Sequence, residues 1–76
     1  MTYEEAVEKI PVGKYFMHYK GGLYRIIAIA KHSETLEPMV VYTGNGQIWA
    51  RPASMWFDII DDSTSLTRFR PFPKEK

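Results

Sequence analysis

The periodicity of hydrophobic residues changes once along the chain, and in the first part it is that of an α-helix. Thr2 is followed three residues later by Glu5, the spacing of a capping box that satisfies two free backbone donors where a helix begins. The apolar positions that follow recur at helical spacing on one face: Tyr3, Ala6, Val7 and Ile10. Pro11 cannot continue the hydrogen-bond ladder, so the pattern predicts a short α-helix over 2–10.

From Gly13 onward the period changes to two, which is the period of β-strands. The pattern predicts strands over 14–20, 23–31, 39–42 and 47–51, with a short closing strand at 67–69. Gly21-Gly22 and Asn45-Gly46 favour tight turns, so each predicts a hairpin. The polar segment 32–38 is predicted to be a loop, 52–57 a single helical turn and 58–65 an acidic connector.

These elements predict a mostly β fold. Consecutive hairpins favour a small SH3-like barrel of four to five antiparallel strands over 13–70, with the short N-terminal α-helix beside it. An open β-meander with the helix packed across it is the alternative. The prolines near the end predict a flexible tail over 71–76. At 76 residues the chain is too short to divide its apolar surface between two cores, so we expect 1–76 to be a single domain.

Composition narrows the classes of function. Ten Lys and Arg against nine Asp and Glu give a net charge of +1, so no overall charge attracts nucleic acid or anionic lipid. The chain has no cysteine, which excludes a disulfide framework and a thiolate zinc site and fits the reducing cytoplasm. The acidic, amphipathic start predicts no export signal, and no apolar run approaches the length that crosses a bilayer. We therefore expect a cytoplasmic protein that does not enter a membrane.

Five short segments of the chain form a recognisable pattern: Gly13–Tyr15, His18–Tyr24, His32–Glu37, Val40–Tyr42 and Trp49–Pro52. In these segments the chain resembles a family of short bacterial domains called Domain of Unknown Function 1653. The resemblance covers about residues 13–57 and implies a small β-barrel without an established activity. Many relatives have a longer, more aromatic connection before the Trp-x-Arg-Pro segment, whereas this chain has the minimal turn TGNGQ.

The residue types and their spacing give little support for a catalytic site. His18 and His32 are the only histidines, and a zinc-deaminase site would need cysteines as well. Ser33 and Thr35 stand beside His32 and Glu34, but neighbours in one loop rarely converge on one point, as a nucleophile and its base must. We expect no catalytic residue, no metal ion and no cofactor, and a protein that is not an enzyme.

A binding site is the stronger hypothesis. Arg51 follows two residues after Trp49, so both side chains lie on one strand face, where a guanidinium beside an indole can stack on rings or grip carboxylates and phosphates. The predicted binding residues are His32, Glu34, Glu37, Tyr42, Trp49 and Arg51. The alternative is structural: an ion pair from Arg51 to Glu34 or Glu37 that clamps the loop onto the sheet.

Three functions follow in order of preference. The first is a noncatalytic module that binds a peptide or protein partner on this aromatic and arginine surface. The second is binding of single-stranded nucleic acid or a nucleotide, because basic residues alternate with aromatic ones along the chain. The third is a minor hydrolase or metal enzyme. Exposed strand edges also pair readily with other chains, which leaves a homodimer through an edge open.

Overall fold

The structure is a computed structural model that describes residues 1–73. Within these residues the chain forms one α-helix, one 3₁₀ turn at Ala53–Met55 and seven strands. The helix and strands are α1 (Tyr3–Lys9), β1 (Tyr15–His18), β2 (Leu23–Lys31), β3 (Pro38–Gly44), β4 (Gln47–Pro52), β5 (Ile59–Asp61), β6 (Leu66–Thr67) and β7 (Phe69–Phe72). The predicted mostly β fold with a short N-terminal helix is confirmed.

The capping box at the start of α1 is formed as predicted. The Thr2 hydroxyl accepts a hydrogen bond from the Glu5 backbone N–H at 3.1 Å, and the Glu5 carboxylate accepts one from the Thr2 backbone N–H at 2.8 Å. Ala6 and Ile10 are fully buried, and α1 packs against β2 and β3. Val7, which the pattern placed on the same stripe, is 43% exposed, so the buried face of α1 is narrower than predicted.

Five strands form one antiparallel sheet in the order β4-β3-β2-β1-β7. The hairpin between β3 and β4 turns at Asn45-Gly46, whose φ angles of 55° and 75° are those the sequence signal requires. A register shift between Ile26 and Ala28 marks a β-bulge in β2, which bends the strand and increases its twist.

The sheet does not close into a barrel, so that part of the SH3-like prediction is wrong. In the described part of the chain, β4 and β7 are the two edges and do not pair with each other. Trp56, just after the 3₁₀ turn, fills the concave face instead: its indole stacks on Phe69 at 3.9 Å and meets Tyr42 at 4.9 Å. With the helix also packed on the sheet, the architecture is closer to the alternative, an open meander covered by a helix.

Two predictions near the end of the chain need correction. The predicted connector 58–65 contains strand β5, which pairs with β6 to form a separate two-stranded sheet. The predicted tail 71–76 begins too early, because Pro71 and Phe72 belong to β7 and pair with β1. Proline is tolerated there because β7 is an edge strand, which has ladder hydrogen bonds on one side only. Residues 74–76 of that predicted tail lie outside the described residues.

The buried side chains form one cluster that joins the helix, the sheet and the 3₁₀ turn. Its members are Ala6, Ile10, Phe16, Ile26, Ile29, Val40, Tyr42, Ala53, Trp56 and Phe69. Trp56 is the largest of those that are fully buried. The cluster is rich in rings, and these rings continue from the core to the surface at one end of the concave face.

Candidate functional site

Strand register brings distant parts of the chain to this end of the concave face. Tyr42 of β3 pairs with Trp49 of β4, and His18 of β1 pairs with Phe69 of β7. Residues that are directly opposite in an antiparallel pair point to the same face of the sheet. Rings from four strands therefore point toward one another, and Arg51, two residues after Trp49, joins them.

These side chains line a cavity of about 200 Å³ that we call the aromatic pocket. Its lining residues are His18, Tyr24, Tyr42, Trp49, Arg51 and Phe69. Phe69 and Tyr42 are 1% and 7% exposed, whereas Trp49 is 42% exposed at the outer side. Pockets for whole small molecules are usually about 300–1,000 Å³. The aromatic pocket is therefore sized for one side chain or one ring of a larger partner.

The walls of the aromatic pocket are fixed by contacts within the protein. Tyr24 meets Tyr42 edge to face at 5.5 Å and Phe69 at 5.9 Å, a favourable arrangement of aromatic quadrupoles. The Asn45 side-chain amide donates to the Tyr24 hydroxyl at 3.3 Å, and the Trp49 indole N–H donates to the Gly44 carbonyl at 3.3 Å. These rings are held in place without a ligand.

The charged groups at the aromatic pocket are basic. Arg51 lines it, and the buried Nε of Arg51 has no hydrogen-bond partner within residues 1–73. The pKa of His18 lies below its ordinary value because burial disfavours the charged imidazole, and because Arg68, Arg51 and Lys20 add positive charge. No carboxylate lines the aromatic pocket in the described part of the chain. An anionic group is therefore the complementary ligand.

The imidazole of His18 is also oriented by its surroundings. Its Nδ1 accepts a hydrogen bond from the Lys20 backbone N–H at 3.2 Å, and its ring packs on Phe69 at 5.0 Å. Nδ1 accepts only when it carries no proton, so in the neutral ring the proton is on Nε2. His18 thus contributes a second N–H donor to this region.

The structure divides the six predicted binding residues into two groups. Tyr42, Trp49 and Arg51 meet in the aromatic pocket. The other three are in the loop between β2 and β3: His32, Glu34 and Glu37. That loop joins β3 at Pro38, four residues before Tyr42, which is roughly 13 Å along a strand.

Hydrogen bonds of His32 stabilise the conformation of this loop. His32 Nδ1 accepts hydrogen bonds from the backbone N–H groups of Glu34 at 3.0 Å and Thr35 at 3.3 Å, and its own backbone N–H donates to the Glu37 carbonyl at 2.8 Å. The carboxylates of Glu34 and Glu37 are exposed. Within residues 1–73 Arg51 forms no ion pair with either of them, so the predicted clamp is not observed.

Three residues of the aromatic pocket were not predicted: His18, Tyr24 and Phe69. The alternation of β1 placed His18 on the same face as Phe16, which is a buried residue, and this was the available signal. Tyr24 lies directly opposite Phe16 in the neighbouring strand, but that register is set by the hairpin and could not be read from the sequence.

A larger cavity, of about 590 Å³, lies near the end of α1 between β1 and β7. Its rim has mixed charge, with Glu8, Lys9 and Lys14, and its wall includes Phe57 and Phe72. Within residues 1–73, the buried polar atoms without a hydrogen-bond partner belong to residues that do not line this cavity. The cavity therefore has volume but no unsatisfied polar group that would bind a ligand. The smaller aromatic pocket therefore has the more specific chemistry.

Two further searches cover the described part of the chain. Over residues 1–73 no three His, Cys, Asp or Glu side chains cluster in a way that could hold a metal ion. In the same range no helix combines the length and the apolar character needed to cross a membrane.

Comparison with family models matches residues 14–71 to the model described as "Protein of unknown function (DUF1653)". The chain belongs to the DUF1653 family. No curated protein and no solved structure matches it. The DUF1653 match includes every strand residue except Phe72 and leaves out α1. All six residues of the aromatic pocket fall within it.

Three of the segments that carry the DUF1653 resemblance contribute residues to the aromatic pocket. His18 and Tyr24 come from the His18–Tyr24 segment, Tyr42 from Val40–Tyr42, and Trp49 and Arg51 from Trp49–Pro52. The His32–Glu37 segment instead forms the hydrogen-bonded loop. The resemblance segments thus separate into residues that line a pocket and residues that hold a loop.

Proposed function

We propose that this DUF1653 protein is a noncatalytic binding module that recognises a peptide or protein partner through the aromatic pocket. The recognised group is an anion, such as a carboxylate, carried on a flat or apolar stem. The observation that supports this most directly is that Arg51 lines the aromatic pocket while no carboxylate does so within residues 1–73.

The energetic argument begins with the Arg51 guanidinium. A hydrogen bond to a charged group is about twice as strong as a neutral one. A ligand carboxylate at this guanidinium forms the stronger bond. The surrounding rings exclude water and contact the apolar stem, so both parts of the ligand find complementary surface.

The positive charge distinguishes this pocket from aromatic cages that bind methylated ammonium groups. Such cages attract cations to ring faces, and a nearby arginine opposes that attraction. Arg51 lines the pocket, and Arg68 is close enough to lower the pKa of His18. Asp58 offsets Arg68 in part through an ion pair of 3.9 Å. The proposal therefore predicts selection of anions over cations of the same shape.

Nuclear magnetic resonance tests this selection with two matched probes, benzoate and benzylammonium. Benzoate is expected to shift the Arg51 Nε–H and Trp49 indole N–H signals, and benzylammonium is expected to leave them in place. Arg51→Gln should abolish the response to benzoate. Arg25→Gln is the matched control, because Arg25 is exposed and lies on the opposite face of β2 from Tyr24. Equal shifts with both probes would refute the anion assignment.

Binding of single-stranded nucleic acid is the second candidate, and the exposed Trp49 ring beside Arg51 is the observation that favours it. A base can stack on an indole while its phosphate contacts a guanidinium. A titration with oligo(dT) separates this candidate from the first. Affinity that falls steeply with rising salt would support it, because phosphate contacts release counterions, and absence of binding at low salt would end it.

A minor hydrolase or metal enzyme is the least favoured of the three proposed functions. It is checked by metal analysis of the purified protein and by a hydrolase panel with His32→Ala and Glu34→Ala as controls. Turnover that depends on either residue would contradict a noncatalytic role. The proposed location is the cytoplasm, because a chain without cysteine has no need of an oxidising compartment.

A further inference from the structure

Strand β4 is an edge of the sheet with few of the features that usually prevent pairing. Its six residues carry one charge, and Ile48 and Trp49 are 71% and 42% exposed. The register between β3 and β4 shows no bulge. Native edge strands are normally kept short, charged, bulged or interrupted by proline. The other edge, β7, has only four residues and contains Arg70 and Pro71, so β4 is the available edge.

The turn fixes which backbone groups of β4 face outward. In a β-turn the first carbonyl accepts a hydrogen bond from the fourth N–H, so Gly44 and Gln47 form a bonded pair. Bonded and non-bonded pairs alternate along an antiparallel ladder. Trp49 and Arg51 therefore bond to β3. The N–H and C=O groups of Ile48 and Ala50 point away from the sheet and are free to pair with an added strand.

The outward-facing edge adjoins the aromatic pocket. Trp49 and Arg51 direct their side chains to the concave face and line the pocket, while their neighbours on β4 present the free backbone groups. A strand paired to β4 lies about 4.8 Å away, and its residues opposite Trp49 and Arg51 point to the same face. One extended segment can therefore hydrogen-bond to the edge and place a side chain at the pocket.

We infer that the partner is an extended acidic peptide segment that adds to β4 as a further strand and directs a carboxylate to Arg51. This inference rests on the proposed function and supplies its binding mode. Main-chain hydrogen bonds provide affinity in such strand addition, and the pocket for an alternate side chain provides specificity.

Charge complementarity selects this occupant over a second copy of the chain. In a two-fold pairing of β4 centred on Trp49, Ile48 faces Ala50 and Arg51 faces Gln47. The β4 strand of a second copy thus places no carboxylate beside Arg51. An acidic segment provides one.

Selection from a displayed library of random octapeptides tests the inference. The enriched peptides are expected to share an Asp or Glu among β-branched residues. The most enriched peptide is then synthesised and its Kd measured by fluorescence anisotropy. Ala50→Pro removes an outward N–H without removing a donor of the β3–β4 ladder, so it is expected to weaken binding at least tenfold. Ala50→Val, the matched control, keeps that N–H and should bind as the wild type does.

A second measurement leaves the protein unchanged. N-methylation of the peptide at successive positions should weaken binding at alternate residues, because only every second N–H of an added strand faces β4. Uniform tolerance of N-methylation would overturn strand addition, whatever the Ala50→Pro variant does to folding.

The remaining outcomes separate the inference from the function on which it rests. If Arg51→Gln abolishes binding and Ala50→Pro does not, the pocket function stands and strand addition is overturned. If neither change weakens binding, both are overturned. Enriched peptides without an acidic residue would refute the carboxylate, and a library that yields no binder would refute a peptide partner. A dimer in sedimentation that Ala50→Pro dissociates would assign the edge to a second copy instead.

Discussion

Replacing Gly44 with alanine tests whether a missing side chain allows the Tyr24 ring to form its wall of the aromatic pocket. A Cβ atom at Gly44 would overlap Cδ1 and Cε1 of Tyr24 and lie 3.0 Å from Cγ. Carbon atoms in favourable contact are about 3.5–4.0 Å apart. The ring must therefore move away. Gly44 lies outside the left-handed region, unlike Gly46, so the backbone itself accepts alanine.

The expected cost combines two effects of that movement. Overfilling a packed site typically costs about 1–3 kcal/mol. The displaced ring also loses its hydrogen bond from Asn45, which contributes about 0.5–1.5 kcal/mol at most because the bond is exposed. We expect Gly44→Ala to lower the free energy of unfolding by about 2 kcal/mol. In a domain of this size that corresponds to a Tm lower by roughly 10 °C.

A double-mutant cycle isolates the contact between the added Cβ at Gly44 and the Tyr24 ring. The free energy of unfolding is measured in urea for all four proteins in the same sucrose buffer. In a Tyr24→Ala background the Cβ has room, so adding Gly44→Ala should be neutral or stabilise by about 0.4–1 kcal/mol through the unfolded state. Gly44→Ala should also weaken the response to benzoate in the wild-type background, because one wall is displaced. A neutral Gly44→Ala, or an equal loss of stability in both backgrounds, would refute the steric argument.

Four other predictions follow from the same structure. The pKa of His18 lies below its ordinary value of 6.5, so neutral His18 adds stability above pH 6.5 that is lost as pH falls through the folded-state pKa. In Arg51→Gln the pKa of His18 should rise in an NMR titration. An unchanged pKa would mean that Arg51 is too far from His18 to affect it. Trp56→Ala should lower stability by about 3–5 kcal/mol in urea unfolding, since the ring is fully buried. Trp49→Ala should leave cooperative unfolding intact but abolish benzoate binding, and a loss of folding would assign Trp49 to the core. Thr2→Ala should cost about 1 kcal/mol by the same assay, and no change would mean that the capping box does not stabilise α1.

Local sequence signals predicted most of the helices, strands and turns, because each such signal depends only on neighbouring residues. The capping box and Pro11 define α1, and Asn45-Gly46 defines the tightest hairpin. The β5–β6 hairpin was missed because its strands have only three and two residues, too few to show a period. Pro71 predicted the start of a flexible tail, although an edge strand accepts proline where it has no bond to donate.

The candidate site was predicted in part for a related reason. Trp49 and Arg51 are two residues apart on one strand, so their shared face follows from strand geometry. His32, Glu34 and Glu37 are equally plausible binding residues in sequence, yet the His32 side chain hydrogen-bonds to its own loop and both glutamates are exposed. Adjacency in sequence does not distinguish side chains that line a pocket from side chains that satisfy the backbone beside them.

The sequence alone determined the mostly β class, the N-terminal helix, the two glycine-containing turns and the pairing of an indole with a guanidinium on β4. The tertiary structure decided that the sheet stays open, since β4 and β7 do not pair with each other within residues 1–73, and that Trp56 stacks on Phe69 in the core. It also decided which residues line the aromatic pocket, since His18 and Phe69 are brought together by the pairing of β1 with β7 across some fifty residues of chain. Such long-range register depends on how the whole core is filled, and no local pattern carries that information.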